Sequence, residues 1–308
     1  MTDPTDADVC VLVPTMDEAE TIGGVVSSFR ERGFENVLVI DGDSTDDTRD
    51  IAEDAGARVV TQSGSGKGAA VREAVREHID SEYVLLLDGD ATYDAKDAEV
   101  MLEPLLDGRA DHVIGDRFAD MREGAMPKLN RLGNKVFNRA FAAVHGEDFQ
   151  DILSGYRAFT KESFRRMDLT AEGFGIETEM AVECAKADLR VAVVPITYRP
   201  RPEGSQTNLH PLKDGGVILV TIYRMAKTSN PLFYFGSVGF LSLLGGAGLG
   251  TYVGVEWVTQ RVSHEVMAVV AGVAVLVGIQ LLMFALLSDM FVSLHREQMR
   301  RLDELEDR

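Results

Sequence analysis

Asp88-Gly89-Asp90 ends an unbroken apolar run, residues 83–87, and sets two carboxylates one residue apart just beyond it. Such a pair suits a hard divalent cation, Mg2+ or Mn2+, which keeps few protein ligands and takes the rest from water and diphosphate oxygens. A plain capped turn into the next helix has the same sequence, so Asp-Gly-Asp alone does not decide. Three more segments tip the balance. Pro14-Thr15-Met16-Asp17-Glu18, Asp41-Gly42-Asp43-Ser44 and Gly64-Ser65-Gly66-Lys67-Gly68 each follow an expected strand. Carboxylates accept N–H and hydroxyl donors from a base or ribose, and glycine lets backbone approach a ligand closely.

The glycine loop fits neither common nucleotide motif. A Walker-type loop needs Gly at 61 and Ser or Thr at 68, where this chain has Thr61 and Gly68. A dinucleotide fingerprint is nearly met by Gly64, Gly66 and Ala69, but after the third expected strand instead of the first.

The elements that must position these groups alternate. Apolar runs at 9–13 and 83–87 read as buried strands, 36–40 and 58–61 as the second and third strands between them, and helical spacing occupies 19–32, 46–55 and 68–77. The second helix is expected to open on Ser44 or Thr45 as its cap, with Asp in its first turn. This order predicts an α/β domain with a mostly parallel sheet and right-handed crossovers. Ligands of such sheets bind beyond the carboxyl ends of the strands, where all four segments fall.

Further on, Lys128, Arg131, Lys135 and Arg139 share one helical stripe, and Leu129, Leu132, Val136, Ala140 and Val144 share the neighbouring face. A core-packed helix with a solvated basic side would look the same. A basic-edged amphipathic helix at a membrane surface, meeting the phosphate of a lipid, explains better why an acidic chain concentrates cations here.

Residues 232–255 are uncharged for 24 positions and residues 266–288 for 23. Helices of that length reach about 35 Å, enough for a hydrocarbon core of about 30 Å. Arg224 and Lys227 precede the first, and His295, Arg296, Arg300 and Arg301 follow the second; the loop between holds Glu256, Arg261 and Glu265. The positive-inside rule then places both termini and the large N-terminal domain in the cytoplasm, in a multi-pass protein of the cell membrane. Neither span carries a charge, which argues against a channel or transporter. Gly246, Gly250 and Gly254 suit close packing, within the hairpin or between subunits of a homo-oligomer.

Composition sets the outer bounds. Among 308 residues, 50 acidic side chains face 31 basic ones, only eight of them Lys, for a net charge of -19. That balance points to a salt-loving source and excludes broad nucleic-acid binding. Cys10 and Cys184 form no ligand or disulfide pattern, which fits a reducing compartment. The polar N-terminus is no signal peptide. The expected organisation is a flexible N-terminus (1–8), a cytoplasmic catalytic domain (9–212), a juxtamembrane segment (213–231), the two spans and a cytoplasmic tail (289–308).

In their order along residues 8–230 these motifs resemble the family 2 glycosyltransferases of the GT-A fold, a Rossmann-like sheet. Within them they are similar to the dolichyl-phosphate hexose synthases, some of which carry two C-terminal spans. The resemblance rests on Pro14, Asp17 and Glu18, on Asp41, on Lys67 between glycines, and on Asp88 and Asp90. It continues through Gly115-Asp116-Arg117, Asn130-Arg131 with Asn138, and Asp151 with Ser154-Gly155-Tyr156-Arg157. Glu177 and Glu179, then Arg201, Gly204 and Ser205, complete it. Thr92 stands where many members have a metal-contacting Gln, and Asn208 where a Lys is usual.

The resemblance implies a transferase that moves a hexose from a nucleotide-sugar to dolichyl or another polyprenyl phosphate with inversion. UDP-glucose is favoured over GDP-mannose, and the product would feed protein N-glycosylation. Pro14, Glu18, Asp41, Lys67 and Asp88 would bind the nucleotide-sugar, and Asp88 and Asp90 the metal. Asp90, Arg117 and Arg131 would act in catalysis, and Arg117, Arg131, Lys135, Arg201 and Ser205 would hold the acceptor phosphate. A phosphate monoester is already anionic and needs no general base. Extension of a lipid-linked glycan, by contrast, needs a base for a sugar hydroxyl, for which Glu177 or Glu179 would serve. An inactive membrane scaffold with the same fold is the third reading.

Overall fold

Strands with apolar residues on both faces need cover on both faces, and the sheet has it. The computed structural model describes residues 8–173, 175–202, 223 and 230–306. Seven strands run β1 (Val9–Thr15), β2 (Val37–Asp41), β3 (Arg58–Thr61), β4 (Tyr83–Leu86), β5 (His112–Met121), β6 (Arg157–Thr160) and β7 (Val191–Tyr198). Their order in the sheet is β3-β2-β1-β4-β6-β5-β7. All run one way except β6, which pairs antiparallel with both β4 and β5. The mostly parallel sheet of the sequence reading is therefore present, and β6 is its one reversal.

Helix α1 (Ile22–Arg30) sends Ile22, Val25, Val26 and Phe29 onto Val9, Val11 and Val13. Helix α4 (Ala98–Leu106) adds Met101, Leu102 and Leu105 to the same core. Helix α3 (Lys67–Glu73) covers β1 and β2 from another side and runs into a π-helical turn, Ala74–His78. Full burial of each Leu, Ile or Phe contributes about 1.5–3 kcal/mol, which explains why the alternation of strand and helix was so legible. Helix α2 (Thr48–Asp54) starts later than expected. Its cap position is Asp47, while Ser44 and Thr45 turn away to bond Asp41 and Asp17. Helices α5 (Lys128–His145), α6 (Lys161–Arg165) and α7 (Ile176–Lys186) follow. Both cysteines are buried and free, with burial pushing each thiol pKa up to about 12, so neither is a reactive group.

The chain divides into two compact units, Met1–Thr221 and Ile222–Arg308. In the second, α8 (Pro231–Gln260) and α9 (Glu265–Glu306) pair as a hairpin. Both are long and apolar enough to cross a membrane, the second over Glu265–Leu294. A Cβ on Gly239 would stand 2.9 Å from Gly278 O, and one on Gly246 would stand 2.9 Å from Ala271 O. The close packing thus falls at Gly239, Gly246 and Gly278, within the hairpin. Gly254, expected to join this stripe, has no such neighbour within 4 Å. Ser205, the residues after it to 222, and Arg224 and Lys227 lie outside the described residues.

Candidate active site

Because all strands but β6 share one direction, the ends of β1, β2, β4, β5 and β7 meet at one sheet edge. The backbone there is unusual. Asp17, Asp43 and Ala91 have φ of 55°, 66° and 59°, a left-handed conformation that costs non-glycine residues energy and clusters at functional sites.

Asp90, 4% exposed, is held from two sides. Its Oδ1 accepts from Thr92 N at 3.1 Å and Thr92 Oγ1 at 2.6 Å, and its Oδ2 pairs with Arg201 Nη2 at 2.6 Å. Thr92 therefore orients Asp90. Arg201 also lies 3.9 Å from Glu18, whose pKa burial raises, against the opposing pull of Arg201. Asp88 Oδ1 takes the Lys67 ammonium, which also pairs with Glu177. Burial opposes the Lys67 charge, but Asp88 and Glu177 outweigh it and hold the pKa above the ordinary lysine value. Each aspartate of the pair thus faces a cation, and their hard oxygens fit a divalent ion. No group of three His, Cys, Asp or Glu side chains that could hold a metal occurs among the described residues, so a bound ion would rely on phosphate and water for its remaining ligands.

Pro14 is buried at the end of β1, directly before Thr15. Asp41 is fully enclosed. Ser44 N donates to its Oδ1 at 2.8 Å, Ser44 Oγ and Thr15 Oγ1 bond its Oδ2, and Arg49 Nε lies 3.8 Å away. The exposed carboxylate of this turn is Asp43, with 86% of its side chain accessible. Asp17 Oδ1 accepts from Thr45 N at 2.8 Å and Asp17 N donates to Ser44 Oγ at 2.9 Å, tying the loops after β1 and β2 together.

The glycines of the third loop answer to packing. A Cβ on Gly66 would sit 2.3 Å from Glu172 O and one on Gly68 2.3 Å from Ala171 O, and Gly68 N donates to Glu172 O at 2.9 Å. Segment 170–171 is itself held by Glu179, which accepts from Thr170 N, Thr170 Oγ1 and Ala171 N. Glu177 and Glu179 are therefore both committed, one to Lys67 and the other to backbone.

Within β5, past the stretch that pairs with β6, Arg117 is 7% exposed. Its Nε and Nη2 reach Asp151 at 2.7 Å each, and Nη2 also reaches Asn134 Oδ1 at 3.1 Å. Asn134 was missed by sequence reasoning; its signal was the four-residue spacing from Asn130 to Asn138. Asn138 in turn accepts from Ile152 N at 3.2 Å. Tyr93 was missed too, and its hydroxyl accepts from Gly155 N at 2.9 Å.

Helix α5 carries Lys128, Arg131, Lys135 and Arg139 exposed, and no carboxylate among the described residues pairs with any of them. Beside them Leu129, Leu132 and Val136 are 69%, 59% and 48% exposed, while Val144 is buried. The structure thus gathers Glu18, Lys67, Asp88, Asp90 and Arg201 into one cluster and Arg117 into a second with Asp151. Arg131 and Lys135 stand on the open face of α5, and Asp41 lies beneath its loop.

This fold and site define a glycosyltransferase. The family model described as Glycosyl transferase family 2 matches residues 10–168, and the chain belongs to that family. It is 66% identical over 303 residues to glycosyltransferase AglJ of Haloferax volcanii, covering 98% of this chain and all of that protein. It is 34% identical over 227 residues to a dolichyl-phosphate hexose transferase of the same organism, covering 73% of this chain and 96% of that one. Among solved structures, glucosyl-3-phosphoglycerate synthase of Mycobacterium tuberculosis, crystallised with Mn2+ and uridine-diphosphate-glucose, superposes with a TM-score of 0.60. At 22% identity, covering 72% of this chain and 79% of that one, it shows a shared GT-A fold.

Proposed function

We propose that this enzyme transfers a hexose, with inversion, from a nucleotide-sugar to dolichyl or another polyprenyl phosphate, for use in protein N-glycosylation. UDP-glucose is the favoured donor. The observation that carries the reading is the row of four cations on α5 that no carboxylate among the described residues pairs, flanked by exposed Leu129, Leu132 and Val136, in a chain of net charge -19. An anionic headgroup at a lipid surface matches both halves of that face. The similarity to a dolichyl-phosphate hexose transferase supports it.

The chemistry follows from two anions meeting. At about 5 Å and an effective dielectric near 20, each pair of unit charges repels by roughly 3 kcal/mol, and more for a dianion. Arg131 and Lys135 bring countercharge for the acceptor; Arg117 and Arg201, already paired with Asp151 and Asp90, add less. Asp88 and Asp90 would hold Mg2+ or Mn2+, which supplies Lewis-acid stabilisation of the leaving diphosphate. Lys67 keeps Asp88 in place, and Thr92 does the same for Asp90. The acceptor oxygen attacks the anomeric carbon in line, and the nucleoside diphosphate leaves without a proton being moved. Commitment of Glu177 and Glu179 to Lys67 and to backbone argues against the hydroxyl-acceptor alternative, which needs a free base. The hairpin would anchor residues 9–212 to the cytoplasmic face, with 213–231 as juxtamembrane segment.

The test is transfer by the purified full-length protein in high KCl with Mg2+ or Mn2+ and dolichyl phosphate, supplying labelled UDP-glucose and GDP-mannose separately. Label entering the organic phase from one donor and lost with EDTA is expected. Transfer only to a preformed lipid-linked glycan would reject the proposal.

A further inference from the structure

Arg157 opens β6 at zero exposure, between Leu86 of β4 and Ile114 of β5. Its Nη2 donates to Ile152 O at 2.7 Å, its Nε to Ser154 O at 3.0 Å, and its Nη1 faces His112 Nε2 at 3.1 Å. All three partners are neutral. Burial, then the neighbouring guanidinium, hold the His112 pKa well below its ordinary value, so the ring that faces Arg157 is neutral. Among the described residues no carboxylate is in ion-pair contact with Arg157; Glu177 and Asp151 act on it only from further off. A guanidinium stays ionised in proteins, and burying one without a contacting counter-ion is unfavourable. An apolar side chain would fill this part of the sheet at less cost, so the fork must do something packing does not.

What it grips is the turn 151–155, and both ends of that turn reach the site. At one end Asp151 holds Arg117 through Nε and Nη2. At the other, Gly155 lies so close to Asp88 that an added Cβ would stand 2.5 Å from Asp88 Oδ2 and 3.3 Å from Lys67 Nζ.

We infer that Arg157 is a positioning residue for transfer: by fixing the carbonyls of Ile152 and Ser154, its guanidinium sets Asp88 on the donor side and Arg117 on the acceptor side together. The inference rests on the proposed reading of the site. A lysine keeps the charge but brings one donor atom where the guanidinium brings a planar fork, and methionine keeps only the bulk.

Arg157→Lys and Arg157→Met in the full-length protein test this by four readouts: unfolding midpoint, affinity for UDP with Mn2+, amide exchange across 151–155, and KM and kcat for both substrates. At a temperature where each variant is fully folded, kcat is expected to fall about 10–100-fold, the scale of a misplaced reacting group. Nucleotide affinity falls, the lipid-phosphate KM rises, and the turn exchanges faster, with lysine rescuing little. A lowered midpoint with unchanged KM, kcat and nucleotide affinity would overturn the inference in favour of a purely structural role. If neither variant folds, Gly155→Ala carries the test, since it presses on Asp88 without disturbing the buried charge. Loss on both substrate sides supports a shared turn, and loss on the nucleotide side alone overturns it. Nucleotide affinity and amide exchange need no acceptor. A wild-type protein that ignores lipid phosphate, beside an Arg157→Lys variant that still shows weaker nucleotide affinity and faster exchange, would fault the acceptor assignment and leave this inference standing.

Discussion

Lys67→Met removes the ammonium that sits between Asp88 and Glu177. The Lys67 side chain is 10% exposed, that of Glu177 6% and that of Asp88 30%. Removing one partner of a buried ion pair costs about 3–5 kcal/mol, because the remaining charge is left desolvated. Asp88 recovers some water, which favours the lower end, about 3 kcal/mol, with Glu177 contributing most. Lys67→Met/Glu177→Gln neutralises that residual charge, so its loss is expected near 1–2 kcal/mol and the coupling between the positions near 1.5 kcal/mol or more. Denaturant unfolding of the full-length protein in detergent and high KCl measures both, since salt screens a buried pair weakly. With its countercharge gone, Asp88 should bind a divalent cation more tightly. A single variant that costs under about 1 kcal/mol, with weaker nucleotide binding and unchanged metal affinity, would refute the reasoning. Lys67 would then face phosphate and not Asp88.

Other outcomes follow from the same contacts. Asp90→Ala should lower transfer by about 10²–10³-fold or more in a protein that still folds, and near-wild-type turnover would sink the metal assignment. Arg131→Ala should raise the lipid-phosphate KM roughly tenfold, the value of one charge-assisted contact, and leave the nucleotide-sugar KM alone. Equal loss in both would remove Arg131 from the acceptor side. Burial raises the Glu18 pKa above 4.5, so the folded state holds this proton more tightly than the unfolded state does. Stability should fall as pH rises from 4.5 through the folded value, and Glu18→Gln should remove that part of the slope. Thermal midpoints across the window check it, and parallel pH profiles for the two proteins would contradict it.

Strands β1, β2 and β4 and their strand-end motifs were legible because both faces of those strands are covered, which leaves apolar runs ending in Gly and Asp, whereas edge strand β3 is only half-buried. Strand β6 was not, because its reversal depends on pairing with β4 and β5 far along the chain. The same limit applies to the glycine loop. Gly66 and Gly68 looked fit for a ligand, yet the backbone they admit belongs to Ala171 and Glu172. Ser44 and Thr45 looked like helix caps for the residues after them, and the structure turns them to Asp41 and Asp17. Residue type revealed which groups carry charge; which charge each one faces is a long-range fact. Asn134, between two residues of a recognised motif, is the site residue that spacing alone offered and reasoning passed over.

The central claim is that the acceptor nucleophile is a phosphate oxygen. The most direct measurement is phosphorus and proton NMR of the purified lipid product. The account predicts a phosphodiester resonance coupled to the anomeric proton of one hexose, with configuration inverted relative to the donor. A hexose joined through a sugar hydroxyl, with the lipid phosphate unchanged, would contradict it.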